Sequence, residues 1–178
     1  MRVDKLQVRI ETPTGENIPG RGFYQRDEES LYVQIGQFDP AHRFFSFLDG
    51  DPVRLDLDKE GRLVFIEVAV PRRAWRVESG LVPPLAVLPR DVRWLDFRGR
   101  IGLPVVSTNL ERSIVKLVLS QEPPAQTIAL ADSVLLEISA EQTAVAIWVT
   151  EIVDDLAGRE IAAYRRRGRT LGLVAAAL

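Results

Sequence analysis

The sequence predicts a mainly β protein of the α+β kind, built as two pseudo-repeated antiparallel β-meander units with one short and one longer helix. Three observations predict it. Apolar residues recur at every second position, the apolar runs are closed by Gly, Pro, Asp or Ser clusters, and one stretch alone carries the marks of both helix ends. Taken in order, Leu6, Val8 and Ile10 alternate with Lys5, Gln7, Arg9 and Glu11, which puts the apolar set on one face of a first strand. Strands follow over residues 22–25, 31–35 and 44–48. Val53, Leu55 and Leu57 then alternate with Arg54, Asp56 and Asp58, and Gly61 marks a hairpin turn before a strand over 63–70. Pro71 suits the first position of a short helix that runs through Trp75. The second half offers strands over 92–97, 114–119, 134–139 and 144–150. Asp154 and Asp155 mark the start of the longer helix, Leu156, Ile161 and Tyr164 share its apolar side, Arg165 to Arg167 close it, and Gly168 stops it.

The domain organisation follows from one segment and one repeat. Residues 79–90 hold three prolines yet are too apolar for a solvated tether, so they are expected to lie against the core as an ordered crossover between a unit at 1–78 and a unit at 91–178, in one globule. A shift of 81 residues aligns Ser46 and Phe47 with Thr127 and Ile128, and Val53, Leu55, Asp56 and Leu57 with Val134, Leu136, Glu137 and Ile138. It also aligns Val64, Ile66 and Val68 with Val145, Ile147 and Val149. A shift of 83 aligns Ser30 to Val33 with Ser113 to Lys116. Turn and acidic positions match along with apolar ones, which favours duplication over a chance likeness of two β-rich segments.

Within the first unit, Tyr24, the run from Asp27 to Val33 with Leu31-Tyr32-Val33, the acidic Asp56-x-Asp58-x-Glu60-Gly61 turn and Ile66-Glu67 form a pattern across residues 24–70. This pattern resembles that of a family of small, uncharacterised bacterial β-domains, a domain of unknown function, here in divergent tandem. The second half departs from it, with Gln142-Thr143 at the turn and Trp148 in place of Glu67. The resemblance implies a β-meander and no particular activity.

Composition excludes several function classes. The 178 residues are 46% apolar and 27% charged, which suits a globular core. With no Cys there are no thiolate metal sites and no Cys nucleophile. The 23 basic residues against 25 acidic ones give a formal charge of −2, so no global field recruits nucleic acid or an anionic membrane. Only Lys5, Lys59 and Lys116 are lysines, a bias that a GC-rich or thermophilic source would explain. No stretch has signal-peptide or membrane-spanning length, and a cytoplasmic location is expected.

Each apparent chemical motif has a plainer reading. Asp56-x-Asp58-x-Glu60-Gly61 followed by Glu67 nearly matches a calcium loop, but an EF-hand needs flanking helices and the flanks here alternate as strands, so a hairpin turn is expected and no metal. His42, the only histidine, lies in the polar bend from Asp39 to Arg43, and no Gly-x-Ser-x-Gly turn presents a nucleophile to it. Phe97 to Gly102 lacks the spacing of a phosphate loop. The pairs Asp56 with Asp58 and Asp49 with Asp51 read as exposed acids. Arg165, Arg166, Arg167 and Arg169 surround a helix end and form no single basic face. Trp75, Trp94, Trp148, Tyr24 and Tyr32 lack interleaved basic residues and read as packing, not as a stacking platform.

No catalytic, cofactor-binding or metal-binding residue is therefore assigned. The expected function is a non-catalytic domain that binds another protein or associates with itself, most simply as a homo-oligomer. Its motive is the apolar crossover and the apolar tail Leu171-Gly172-Leu173-Val174-Ala175-Ala176-Ala177-Leu178, which should not dangle in water. One alternative is a small-ligand binder or enzyme with a pocket between the repeats, using Asp56, Glu67 and Arg54. The other is a nucleic-acid-associated regulator using the Arg165 to Arg169 cluster.

Overall fold

The structure, a computed structural model, describes residues 5–13, 18–36, 44–85, 89–96 and 98–176, and of residues 13 and 168–176 the backbone alone. The chain is mainly β. The first half carries β1 (Val8–Pro13), β2 (Gly20–Gln25), β3 (Ser30–Ile35), β4 (Ser46–Asp49), β5 (Val53–Leu57), β6 (Leu63–Val68) and β7 (Arg76–Val77). The second carries β8 (Arg90–Trp94), β9 (Gly99–Arg100), β10 (Val105–Thr108), β11 (Val115–Val118), β12 (Pro124–Ala131), β13 (Val134–Ser139), β14 (Ala144–Val149) and β15 (Ile152–Asp154), followed by helix α1 (Arg159–Ala176). A 3-10 turn, Arg72–Ala74, follows Pro71.

Two sheets and a ribbon share one core. The first sheet has the order β15-β2-β3-β6-β5-β4-β9, the second β12-β13-β14-β11-β10-β7, and β1 pairs with β8 alone. Alternation explains the packing: Leu31, Val33, Val53, Leu55, Leu57, Ile66 and Val68 of the first sheet are fully buried in the same cluster as Val115, Leu117, Val134, Leu136, Ile138, Ile147 and Val149 of the second. Burial of each such side chain contributes about 1.5–3 kcal/mol, so these two inner faces dominate stability. The ribbon closes one end of this core with Val8, Val92 and Trp94.

Pairing is regular where the chain alternates. Val53 faces Val68, Leu55 faces Ile66, and a bulge interrupts the ladder between Asp56 and Leu57. Val134 faces Val149, Leu136 faces Ile147, and a bulge lies between Glu137 and Ile138. These pairs recur at a shift of 81. The shift changes elsewhere: Leu48 faces Leu55 where Ile128 faces Leu136, a shift of 80, and Leu31 faces Val68 where Val115 faces Val149, a shift of 84 and not the 83 read from the sequence.

The differences from the sequence reading have physical causes. Helix α1 begins at Arg159 and runs through Gly168 to Ala176, because one Gly costs only about 1 kcal/mol against the strong helix propensity of the Leu and Ala residues beyond it. Strands β7, β9 and β15 are two or three residues long, too short to show a period. In the crossover, Leu81, Pro83 and Pro84 are half-buried, but Val82 is 73% and Leu85 94% exposed, so this segment does not turn its apolar side chains inward as a whole. His42, Asp39, Phe97 and the side chains of the tail from Leu171 to Leu178 lie outside the described residues.

Candidate functional site

The outer face of the first sheet concentrates the residues with chemical interest. Alternation on β3, β5 and β6 turns Tyr32, Arg54, Asp56, Phe65 and Glu67 away from the core. Helix α1 lies over part of this face. Asp155 accepts the Ile161 amide proton at 3.3 Å near the start of the helix, and the first turns bury Ile161 and Tyr164. The Phe65 ring stacks between Tyr32 (5.9 Å) and Tyr164 (5.5 Å), and Phe44 closes the group at 5.5 Å from Phe65. The Tyr164 hydroxyl donates to the Val64 carbonyl at 3.0 Å and lies 3.3 Å from that of Ile35. Burial, and secondarily the charge of Asp56, push the Tyr164 phenol up. Burial, then the hydrogen bond to Glu28, push the Tyr32 phenol up to about 12.

Arg165 fastens the helix. Its guanidinium lies 4.4 Å from the centre of the Tyr32 ring and bonds Glu67 at 2.9 Å and Glu28 at 3.4 Å. Of the basic cluster, Arg165 is thus committed to the protein's own sheet, and Arg166 reaches back to the Ala162 carbonyl at 3.2 Å. Arg165 and Arg166 thus turn to different partners, and the side chain of Arg169 lies outside the described residues.

Phe45, just before β4, and Phe47 within it are 60% and 42% exposed, and the Arg54 guanidinium stacks 3.9 Å above the Phe47 ring while bonding Asp56 at 3.0 Å. Strand β9 pairs in parallel with β4, setting Arg100 beside Asp49. A groove of about 860 Å³ continues the patch, lined by Asp49, Gly50, Asp51, Arg100, Ile101 and Leu103. The arrangement is an aromatic centre with paired charges at its rim.

The other residues singled out in the sequence take structural places. Asp58 is 0% and Asp56 2% exposed, so they are not the surface acids expected from the sequence, whereas Asp49 and Asp51 are exposed. Asp58 is buried because its Oδ1 accepts the amide protons of Glu60 and Arg62, both at 2.9 Å, which closes the hairpin at Gly61 with φ +83°. With Asp58 turned to the backbone and Glu67 held by Arg165, the acidic run is a turn between β5 and β6. Among the described residues no group of three or more His, Cys, Asp or Glu could hold a metal ion. Trp75 donates to the Val70 carbonyl at 3.1 Å and meets Tyr24 edge-on at 5.7 Å, Trp94 is in the shared core, and Lys116 lies 5.1 Å from the Trp148 ring.

The proposed trio of Asp56, Glu67 and Arg54 does come together, but on the outer face of one sheet and not between the halves. The cleft that joins the halves has about 530 Å³ and is lined by other residues, among them Gly20, Arg21, Asp132, Glu151 and Asp154. Two of its acids have partners: Glu151 pairs with Arg21 at 3.1 Å, and Asp154 with Arg26 at 2.8 Å and Arg72 at 3.0 Å. Sequence reasoning missed Phe45 and Phe47 as candidates, although the unbroken pair Phe44-Phe45 ahead of Ser46-Phe47 breaks strict alternation and could have signalled an outward aromatic. Neither a family model nor a curated protein matches the chain.

Proposed function

We propose that this protein is a non-catalytic β-rich domain that acts by association, first with a second copy of itself, through the open end of the first sheet's outer face. The observation that carries the reading is the exposure of Phe47 on β4 and of Phe45 just before that strand, with Arg54 stacked on Phe47. Aromatic and Arg side chains are the types enriched at interface centres, and here a sheet fixes them at little further entropic cost. The rim of Asp49 and Arg100 offers opposite charges that a two-fold-related copy would meet in reverse order. Arg54, Asp56, Glu67 and Arg165 on this face already bond one another in pairs, which supports a binding role over acid–base chemistry.

Sedimentation velocity across a hundredfold concentration range tests it. The protein is expected to dimerise reversibly, and Phe47→Ser with Phe45→Ser to remain monomeric with an unchanged far-UV spectrum. A protein that stays monomeric throughout, or a double variant that associates like the parent, would remove the reading.

A further inference from the structure

Each half of the chain is completed by strands from the other, and the exchange is reciprocal. Strands β2-β3-β6-β5-β4 and β10-β11-β14-β13-β12 follow the same order, with ladder bulges at matching places. To the first set the second half adds β15, in parallel with β2, and the short β9, in parallel with β4; to the second set the first half adds β7, in parallel with β10. The ribbon pairs β1 of one half with β8 of the other, Val8 opposite Trp94. From those two residues the contacts run outward symmetrically. The Trp94 amide donates to the Gly61 carbonyl in the β5–β6 turn at 2.7 Å, and the Val8 amide donates to the Gln142 carbonyl in the β13–β14 turn at 2.9 Å. Gly61 and Gln142 hold the same left-handed conformation, φ +83° and +63°.

We infer that the joint between the halves is a two-fold dimer interface carried within one chain, and that a second copy of this chain closes the same joint by exchanging halves whenever the crossover cannot reach. The crossover is the only covalent element that decides between the two closures. It leaves β7 at one edge of the second sheet and arrives at Pro89, which bridges Ala129 of β12 beyond the opposite edge. That path crosses six strand spacings, about 29 Å at ~4.8 Å each. From Val77 to Pro89 an extended chain spans about 41 Å, which suffices. Without Ser79 to Leu85 it spans about 17 Å, which does not. The segment carries little of the fold's own contacts where it is most exposed, at Val82 and Leu85.

This inference is independent of the aromatic patch, and two measurements on the full chain test it. In the first, a protease site is placed at Leu85 and the folded protein is cut there. The two pieces are expected to stay together as a 1:1 complex on a sizing column, and to separate only in denaturant. Pieces that separate under native conditions would overturn the inference. In the second, the variant lacking Ser79 to Leu85 is purified with Phe45→Ser and Phe47→Ser in place, so that patch association is absent. A dimer that does not dissociate on dilution over hours is expected, and a folded monomer would overturn the inference. Should the shortened variant fail to fold, the cut protein decides alone. Loss of association in the patch variant of normal length, with the cut pieces still joined, would separate the two readings.

Discussion

Replacing Asp58 with Ala tests whether the hairpin turns, and not the acids as chemical groups, are what these positions serve. The carboxylate is fully buried, its Oδ1 accepts two backbone protons at 2.9 Å, and its Oδ2 lies 3.7 Å from the Arg62 guanidinium. A hydrogen bond to a charged group contributes about 1.5–3 kcal/mol, but water can replace the bond to exposed Glu60, so the expected loss is about 2–4 kcal/mol. For a chain of this length that lowers the melting temperature by roughly 4–16 °C. Ser139 occupies the matching place in the other turn, where its Oγ accepts a single bond from the Thr143 amide at 3.1 Å. Ser139→Ala should therefore cost only about 1 kcal/mol. Thermal unfolding of both variants by circular dichroism at pH 7 reads the difference. A loss below about 0.5 kcal/mol for Asp58→Ala, or a larger loss for Ser139→Ala, would refute the reasoning.

Tyr164→Phe keeps the ring stack on Phe65 but removes the donor to the Val64 carbonyl, leaving a buried acceptor unpaired; a loss of about 1–3 kcal/mol is expected in urea unfolding, with no change in association. Alkaline stability tests Tyr32. Folded Tyr32 holds its proton up to about 12, whereas an unfolded tyrosine releases it near 10, so the folded state binds more protons between those values. Its contribution is therefore complete below pH 10 and is lost as pH rises from 10 to 12, and Tyr32→Phe should flatten that part of the stability profile measured by urea titration.

The mainly β class was legible because period two is written by burial on one face, and the long strands of the inner core obey it. Val53 to Leu57 and Val134 to Ser139 needed no tertiary information. What stayed hidden depends on contacts far along the chain. Strands β7 and β15 exist because β10 and β2 present free edges to them, and nothing in two or three residues announces such a partner. Glycine at 168 reads as a stop by local rules, yet the helix continues, since propensity on both sides outweighs one unfavourable residue. The burial of Asp56 and Asp58 was illegible for a related reason. A carboxylate in an alternating pattern reads as the wet face of a strand, and only the bulge and the turn show that its oxygens meet a backbone and a guanidinium instead.

The site's legibility follows from what covers each sheet. Matching places on the two outer faces carry different chemistry: Tyr32, Phe65 and Glu67 on the first sheet stand where Lys116, Ala146 and Trp148 stand on the second. The first set is shaped for α1, because Glu67 and Tyr32 hold Arg165 and Phe65 receives Tyr164. Among the described side chains of the helix, Ile161 and Tyr164 of its first turns are buried with Tyr32 and Phe65 of β3 and β6, and Phe47 on β4 lies two strands farther along the sheet. An inward-facing role would demand that the Phe47 ring be buried, and a purely solvated role would favour a polar residue in its place. Phe47 on β4, 42% exposed, satisfies neither demand, and on the proposed reading binding of another surface is the state in which its remaining area leaves water.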